Sequence, residues 1–166
     1  LVLDEEFMAR VPMCDIVYSW GVLHHTGDVW RAIRNAAGRV KPGGKFYIAL
    51  YSADVQIDPT PAFWLNVKRR YISSGGLVQQ AMVAWYVLRF FLNYNPFNIP
   101  AFIRRKRAYK LERGMEIFTD IRDWLGGWPM EFVYDSEAIK ACEELGFTLE
   151  KIKTGEANTE FLFGRK

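Results

Sequence analysis

Asp15-Ile16-Val17-Tyr18-Ser19 is a short run of β-favouring side chains stopped by Trp20-Gly21, and it reads as a buried strand. Val29, Ile33, Ala36 or Ala37, and Val40 then recur at helical spacing, with Arg31, Arg34 and Asn35 on the other side. Asp28 stands where the N-cap of that helix is wanted. Lys41-Pro42-Gly43-Gly44 stops the helix and turns the chain. From Lys45 to Tyr51, Phe46, Ile48 and Leu50 alternate with Tyr47, Ala49 and Tyr51, and both sets are apolar. A strand apolar on both faces belongs inside a helix-covered sheet. Strand, helix and strand with such short connections form a parallel βαβ unit.

The C-terminal stretch repeats this logic. Asp135 or Ser136 caps a helix whose buried stripe is Ala138, Ile139, Cys142 and Leu145, and Gly146 ends it. Phe147 to Thr154 and Thr159 to Gly164 read as strands joined by a turn at 155–158, close enough to pair as an antiparallel hairpin. The middle of the chain reads as helical. Phe63 to Ile72 is one helix, and Leu77 to Tyr94 is another, apolar nearly all round and so expected to be covered. Pro96 and Pro100 break the chain, Ile103 to Leu111 resumes as a basic helix, and Phe118 to Leu125 is a short helix ended by Gly126-Gly127. The fold class predicted is α/β: a mostly parallel sheet closing on an antiparallel hairpin, with a helical insert.

Composition bounds this picture. The chain has 166 residues, half apolar and a quarter charged, which suits one domain or two small ones and excludes a disordered tail. The net charge of +3 conceals an asymmetry. Between Pro59 and Leu111 there is no Asp or Glu but there are nine cations, so the remainder sums to −6. The chain therefore divides into a mixed-charge frame, 1–58 and 112–166, and a basic, aromatic-rich insert, 59–111. That insert suits an anionic partner such as a phospholipid surface, nucleic acid or an acidic substrate, or is a solvated basic face. Cys14 and Cys142 are too few for a disulfide framework and have no ligand partners at metal spacing, which points to a reduced, cytoplasmic setting. The longest apolar run, Ala81 to Leu92, contains Arg89 and falls short of the roughly 20 residues that span a bilayer. No secretory signal pattern opens the chain. It begins with Leu1, and we expect a piece of a longer product.

Two motifs carry a family resemblance. Asp15-Ile-Val-Tyr-Ser-Trp-Gly-Val-Leu-His-His-Thr26, a following helix, and then Val40-Lys-Pro-Gly-Gly-Lys-Phe-Tyr-Ile-Ala-Leu50 resemble the class I S-adenosylmethionine-dependent methyltransferases. Among these the sequence is most similar to the bacterial small-molecule methylases that include the ubiquinone-biosynthesis enzymes. The resemblance covers roughly 1–51 and 135–164. Arg113-Gly114-Met115 through Trp128-Pro129 also looks like a segment found in some of these enzymes. The resemblance implies a Rossmann-like sheet, S-adenosylmethionine as methyl donor, and a small or lipid-like acceptor. The family's glycine-rich first turn and the acidic residue that holds the ribose are not found here, and Leu1-Val2-Leu3-Asp4 resembles the end of the third strand. The implied molecule is the C-terminal part of a methyltransferase, inactive alone, with weak or absent donor binding. Its strand at 15–19 lacks a neighbour, which implies a homodimer.

By the same resemblance, Ser19, Trp20 and Gly21 lie against the methionine and sulfonium end of the donor, and Val2 and Leu3 lie near its adenine. Asp4 is the nearest carboxylate, but an exposed loop or a helix cap explains it better. His24 and His25 are the only histidines. An imidazole can take the proton of a hydroxyl before methyl transfer; the alternative is that one packs beneath the helix and the other is solvated. No metal is required, and two adjacent histidines make a poor metal site. Trp64, Tyr71, Trp85, Tyr86, Phe90, Phe91 and Tyr94 serve either as helical core or as a lid over a planar or lipidic acceptor, with Arg69, Arg70 or the 104–107 cluster holding an anionic group. Asp120, Arg122 and Asp123 either line that cleft or form an exposed helix face. Two functional classes result: a methyltransferase, or a non-catalytic binding or assembly module that docks on a membrane surface or a protein partner through its basic insert. Nucleic acid is a weaker third partner, since no recognition motif accompanies the basic charge.

Overall fold

Four strands define one unit of the chain in the computed structural model, which describes residues 1–155 and 157–166. They are β1 (Cys14–Trp20), β2 (Val40–Tyr51), β3 (Phe147–Thr154) and β4 (Asn158–Arg165). The sheet order is β1-β2-β4-β3. β1 and β2 pair parallel, whereas β4 is antiparallel to both β2 and β3, so three strands point one way and β4 alone is reversed. The expected 155–158 turn includes residue 156, which lies outside the described residues.

The alternation read along β2 decides which face is buried. Phe46, Ile48 and Leu50 are fully buried with Phe161 and Phe163 of β4. Helices α2 (Val29–Ala37) and α7 (Asp135–Glu144) cover this face with Val29, Ala32, Ile33, Ala36, Ala37, Ala138 and Cys142. Each buried Phe, Ile or Leu contributes about 1.5–3 kcal/mol. Burial also pushes the Cys142 thiol up to about 12, which makes it an inert core residue. Asp28 caps α2 by accepting from the Arg31 amide at 3.0 Å. The cap expected from Asp135 or Ser136 is not there: Tyr134 takes the N-cap position without a side-chain bond, and the Asp54 carboxylate accepts from the Asp135 amide at 2.8 Å. Asp135 instead accepts from the Thr159 hydroxyl, tying α7 to β4.

Two features of the sheet differ from the sequence reading. Lys41-Pro42-Gly43-Gly44 is not a turn ahead of the strand. β2 already starts at Val40, opposite Cys14, and pairing resumes at Lys45 opposite Ile16, so the segment is a bulge facing Asp15. Gly43 has φ +75°, and a Cβ on Gly44 would stand 2.8 Å from the Asp15 carbonyl oxygen, so backbone packs where a side chain would be. Second, β1 is an edge strand, not a buried one. Ile16, Tyr18 and Trp20 are 66%, 65% and 51% exposed. They share a face with Lys45, Tyr47 and Ala49 of β2 and with Gly164, Leu162 and Glu160 of β4. A short helix that the sequence reading did not contain, α1 (Glu5–Arg10), precedes β1.

Ala62–Trp128 forms a second unit, separate from the first, which comprises Leu1–Pro61 and Pro129–Lys166. Its helices are α3 (Pro61–Ile72), α4 (Gly76–Tyr86), α5 (Ile99–Arg113) and α6 (Ile117–Gly126). Trp64, Lys68 and Tyr71 form the buried face of α3, and Ile117, Ile121 and Leu125 that of α6. The Trp64 ring lies 5.2 Å from Trp124 and 5.4 Å from Phe90, so aromatic rings pack together beside the aliphatic side chains of α6. The expected helix at 77–94 ends at Phe91 after a wider turn, Val87–Phe91. It is not covered all round: in α4 only Val83 is buried, and Leu77 is 86% exposed. Pro100 does not break α5 but opens it, in the first turn where the missing amide hydrogen has no partner to lose. Asp120 accepts from the Tyr109 hydroxyl and, at 3.4 Å, from Arg113, which joins α5 to α6.

Candidate active site

In open α/β sheets ligands collect at the carboxyl ends of the strands. At that end of β1 the chain turns through Gly21, whose φ of +71° strains any other residue. A Cβ there would meet nothing within 4 Å, so the space in front of the turn is open. A single 3-10 turn, Leu23–His25, follows and leads into α2.

The two histidines are held differently. His24 is buried, and its Nδ1 accepts the Tyr51 amide at 3.2 Å. Nδ1 therefore carries no proton, and the neutral ring bears its hydrogen on Nε2. The His24 ring also packs on Tyr51 at 4.1 Å. His25 is half-buried, and its Nδ1 donates to the Pro129 carbonyl at 2.6 Å. In the neutral ring that bond fixes the opposite tautomer, with the hydrogen on Nδ1. Residues 129–131 clamp the rest of the loop. The Glu131 amide donates to the His24 carbonyl at 2.9 Å, and the Glu131 carboxylate accepts from the amides of Gly27 and Val29 at 3.0 and 3.3 Å. A carboxylate at the amino end of α2 is also favoured by the helix dipole. Burial pushes the Tyr51 hydroxyl up to about 12, so it stays protonated near neutrality.

The residues expected at the donor site are only partly gathered. Val2 and Ser19 line one cavity of about 330 Å³ together with Met8, Val11, Val17 and Leu23. Leu3, Trp20, Gly21 and both histidines lie outside that lining. The Val2 carbonyl accepts from the Asn35 side-chain amide at 2.8 Å, and Val2 and Leu3 pack on the rim of the core. Asp4 caps α1, accepting from the Phe7 amide at 2.9 Å. Trp20 lies on the exposed sheet face, as does Glu160, which accepts from the Tyr47 hydroxyl. The Tyr47 bond, foremost, holds the Glu160 carboxyl below its ordinary range, and its counterpart pushes Tyr47 up to about 12. Tyr18 stacks on Tyr47 at 5.3 Å.

These surroundings do not fit a whole nucleoside-sulfonium donor. Gly21 leaves room, and the cavity is apolar, but Arg39 is the one charged residue in its lining and no carboxylate there meets ribose hydroxyls. Among the described residues, no three His, Cys, Asp or Glu side chains are grouped to hold a metal ion. No helix among the described residues is long and apolar enough to cross a membrane. Tyr51, Pro129, Glu131, Tyr47 and Glu160 were not singled out from the sequence as site residues. Only the likeness of the segment ending at Pro129 to part of some methyltransferases pointed toward any of them.

Residues 9–48 match a family described as a methyltransferase domain. No curated protein matches the chain. Among solved structures, an O-methyltransferase family protein from Burkholderia thailandensis superposes with a TM-score of 0.52 at 14% identity, over 100% of this chain and 34% of that one. Magnesium protoporphyrin IX methyltransferase from Synechocystis PCC 6803, solved with bound SAH, gives 0.43 at 11% identity over 96% and 48% of the two chains. Mitomycin 7-O-methyltransferase gives 0.44 at 13% over 96% and 32%. The chain thus spans from about a third to about half of the length of these structures. In the sequence of residues 9–48 and in its fold, it resembles the class I S-adenosylmethionine-dependent methyltransferases.

Proposed function

We propose that this chain is the back portion of an S-adenosylmethionine-dependent methyltransferase acting on a small or lipid-like acceptor, and that donor binding needs further strands beside β1. The observation that carries the reading is the sheet itself: a 4-stranded order β1-β2-β4-β3 with β4 alone reversed and the outer edge of β1 open. The match over 9–48 supports it. A bound donor supplies a sulfonium-activated methyl group. Ser19, Trp20 and Gly21 would hold its methionine end, and Val2 and Leu3 its adenine. His25 is the better base of the two histidines, because its Nδ1–H donates to the Pro129 carbonyl and orients the ring, whereas His24 is buried with its Nδ1 accepting from the Tyr51 amide. His24, held by the Tyr51 amide, positions the loop.

The reading predicts that this chain alone binds S-adenosylhomocysteine weakly, in the millimolar range. Titration of isotope-labelled chain, followed by backbone amide NMR, checks this. Saturable shifts concentrated at residues 2–3 and 19–21 are expected. An absence of shifts at millimolar ligand, or shifts scattered over other segments, refutes the placement of the donor. Micromolar binding refutes the claim that further strands are needed.

A further inference from the structure

We propose that the segment from Tyr94 to Leu111 is a docking surface for an anionic lipid bilayer. The inference rests on the second unit alone and is independent of the methyltransferase reading.

The geometry separates five of the six cations of α5 into two sets; the sixth, Arg113, pairs with Asp120. Arg105 lies over the Phe91 ring at 5.0 Å and Lys106 over Phe118 at 4.9 Å, on the side where Phe102 meets Phe91 and Tyr109 is buried. Those two side chains are engaged with the unit's own aromatic core. At 100° per residue the opposite arc of the helix carries Ile99, Ile103, Arg104, Arg107, Lys110 and Leu111. All six are exposed. No acidic residue falls on this arc, since Glu112, the acid of α5, lies about half a turn from Ile103.

The turn before α5 adds an apolar tip. Asn93 and Tyr94 have φ of +48° and +56°, and the 3-10 turn Pro96–Asn98 follows. The Asn95 side chain accepts from the Phe97 amide at 3.0 Å, and the Asn98 side chain donates to the Leu92 carbonyl at 2.9 Å. The turn is therefore built, and it holds Phe97 87% exposed and Tyr94 61% exposed beside the basic helix. Leu111, at the other end, is 91% exposed.

Charge and chemistry select the occupant. A surface combining bare aromatic and aliphatic side chains with Arg104, Arg107 and Lys110 meets both of its needs at a bilayer of net negative charge: the headgroups take the cations and the acyl boundary takes Phe97, Ile103 and Leu111. Arg and Lys stems lie along the apolar surface while their heads reach the phosphates. Each cation brought to such a surface raises partition about fivefold. Nucleic acid offers phosphates but no apolar phase for Phe97 and Leu111. No Asp or Glu lies between 59 and 111 to oppose approach; the acids of this unit, Glu112, Glu116, Asp120 and Asp123, all follow that stretch.

Co-sedimentation of the full chain with vesicles tests this. Phosphatidylcholine vesicles containing phosphatidylserine are expected to bind at least about tenfold more strongly than phosphatidylcholine alone, with release as salt is raised. The Arg104→Glu/Arg107→Glu double variant is expected to lose binding by more than about tenfold. Phe97→Ser and Leu111→Ser are each expected to weaken it several-fold, with circular dichroism unchanged because both side chains are exposed. Equal binding to both vesicle types, or no binding, overturns the proposal. So does charge dependence without any effect of Phe97→Ser and Leu111→Ser. Tighter binding of duplex DNA or RNA that competes with the vesicles also overturns it and marks a nucleic-acid surface instead.

Discussion

Lys68 is fully buried in the aromatic core of the second unit, its ammonium 4.0 Å from the centre of the Trp124 ring and donating to the Trp124 carbonyl. Desolvation lowers it from 10.5 to about 8. At about 1.36 kcal/mol per pH unit, keeping it charged in the folded state costs on the order of 3 kcal/mol relative to an unfolded, hydrated lysine. Between pH 8 and 10.5 the unfolded chain binds the extra proton, so this group makes the protein more stable as pH rises and weighs fully against it below pH 8. Cys142, raised from 9.0 to about 12, acts in the opposite sense above pH 9, as do Tyr47, Tyr51 and Tyr86 above pH 10. The difference between wild type and Lys68→Met cancels those groups. Methionine keeps most of the volume but leaves the Trp124 carbonyl without this donor, a loss of about 1 kcal/mol. Lys68→Met is therefore expected to be about 2 kcal/mol more stable at pH 7 and no more stable than wild type at pH 10. Urea unfolding followed by tryptophan fluorescence, with Trp64 and Trp124 beside the site, measures both values. A difference that does not change between pH 7 and 10 refutes the burial argument.

Gly44→Ala is expected to destabilise the first unit by about 1–3 kcal/mol, since a Cβ would stand 2.8 and 2.9 Å from two backbone oxygens; an unchanged urea midpoint would show that the bulge can open at little cost. Asp54→Ala removes the carboxylate that caps α7 from a distance and is expected to cost about 1 kcal/mol, read by the same denaturation and by faster amide exchange at Asp135. The open edge of β1, with Ile16, Tyr18 and Trp20 exposed, is expected to make the isolated chain self-associate, and Tyr18→Lys is expected to reduce that association. Light scattering that finds only a 19.3 kDa monomer at tens of micromolar removes this expectation.

What could be read from the chain and what could not divide along the range of the forces involved. The alternation in β2, the stripe of α2 with its Asp28 cap, and the hairpin of β3 and β4 are set by neighbours within a few residues, and each was visible in the order of side chains. Lys41-Pro42-Gly43-Gly44 reads locally as a turn. It becomes a bulge because Val40 and Lys45 both pair with β1 and a glycine at 44 lets the Asp15 carbonyl approach. α7 looks self-capped until Asp54, 81 positions away, is seen to supply the cap. The candidate site follows the same division. His24 and His25 were legible because imidazole is rare and chemically distinctive in this chain. What distinguishes them was not legible, for it depends on the Tyr51 amide at one ring and the Pro129 carbonyl, 104 positions away, at the other. Identical neighbours in sequence thus acquire opposite tautomers. The assignment of His25 over His24 as a base is a statement about tertiary contacts, and disturbing the 129–131 segment is expected to alter it without touching either histidine.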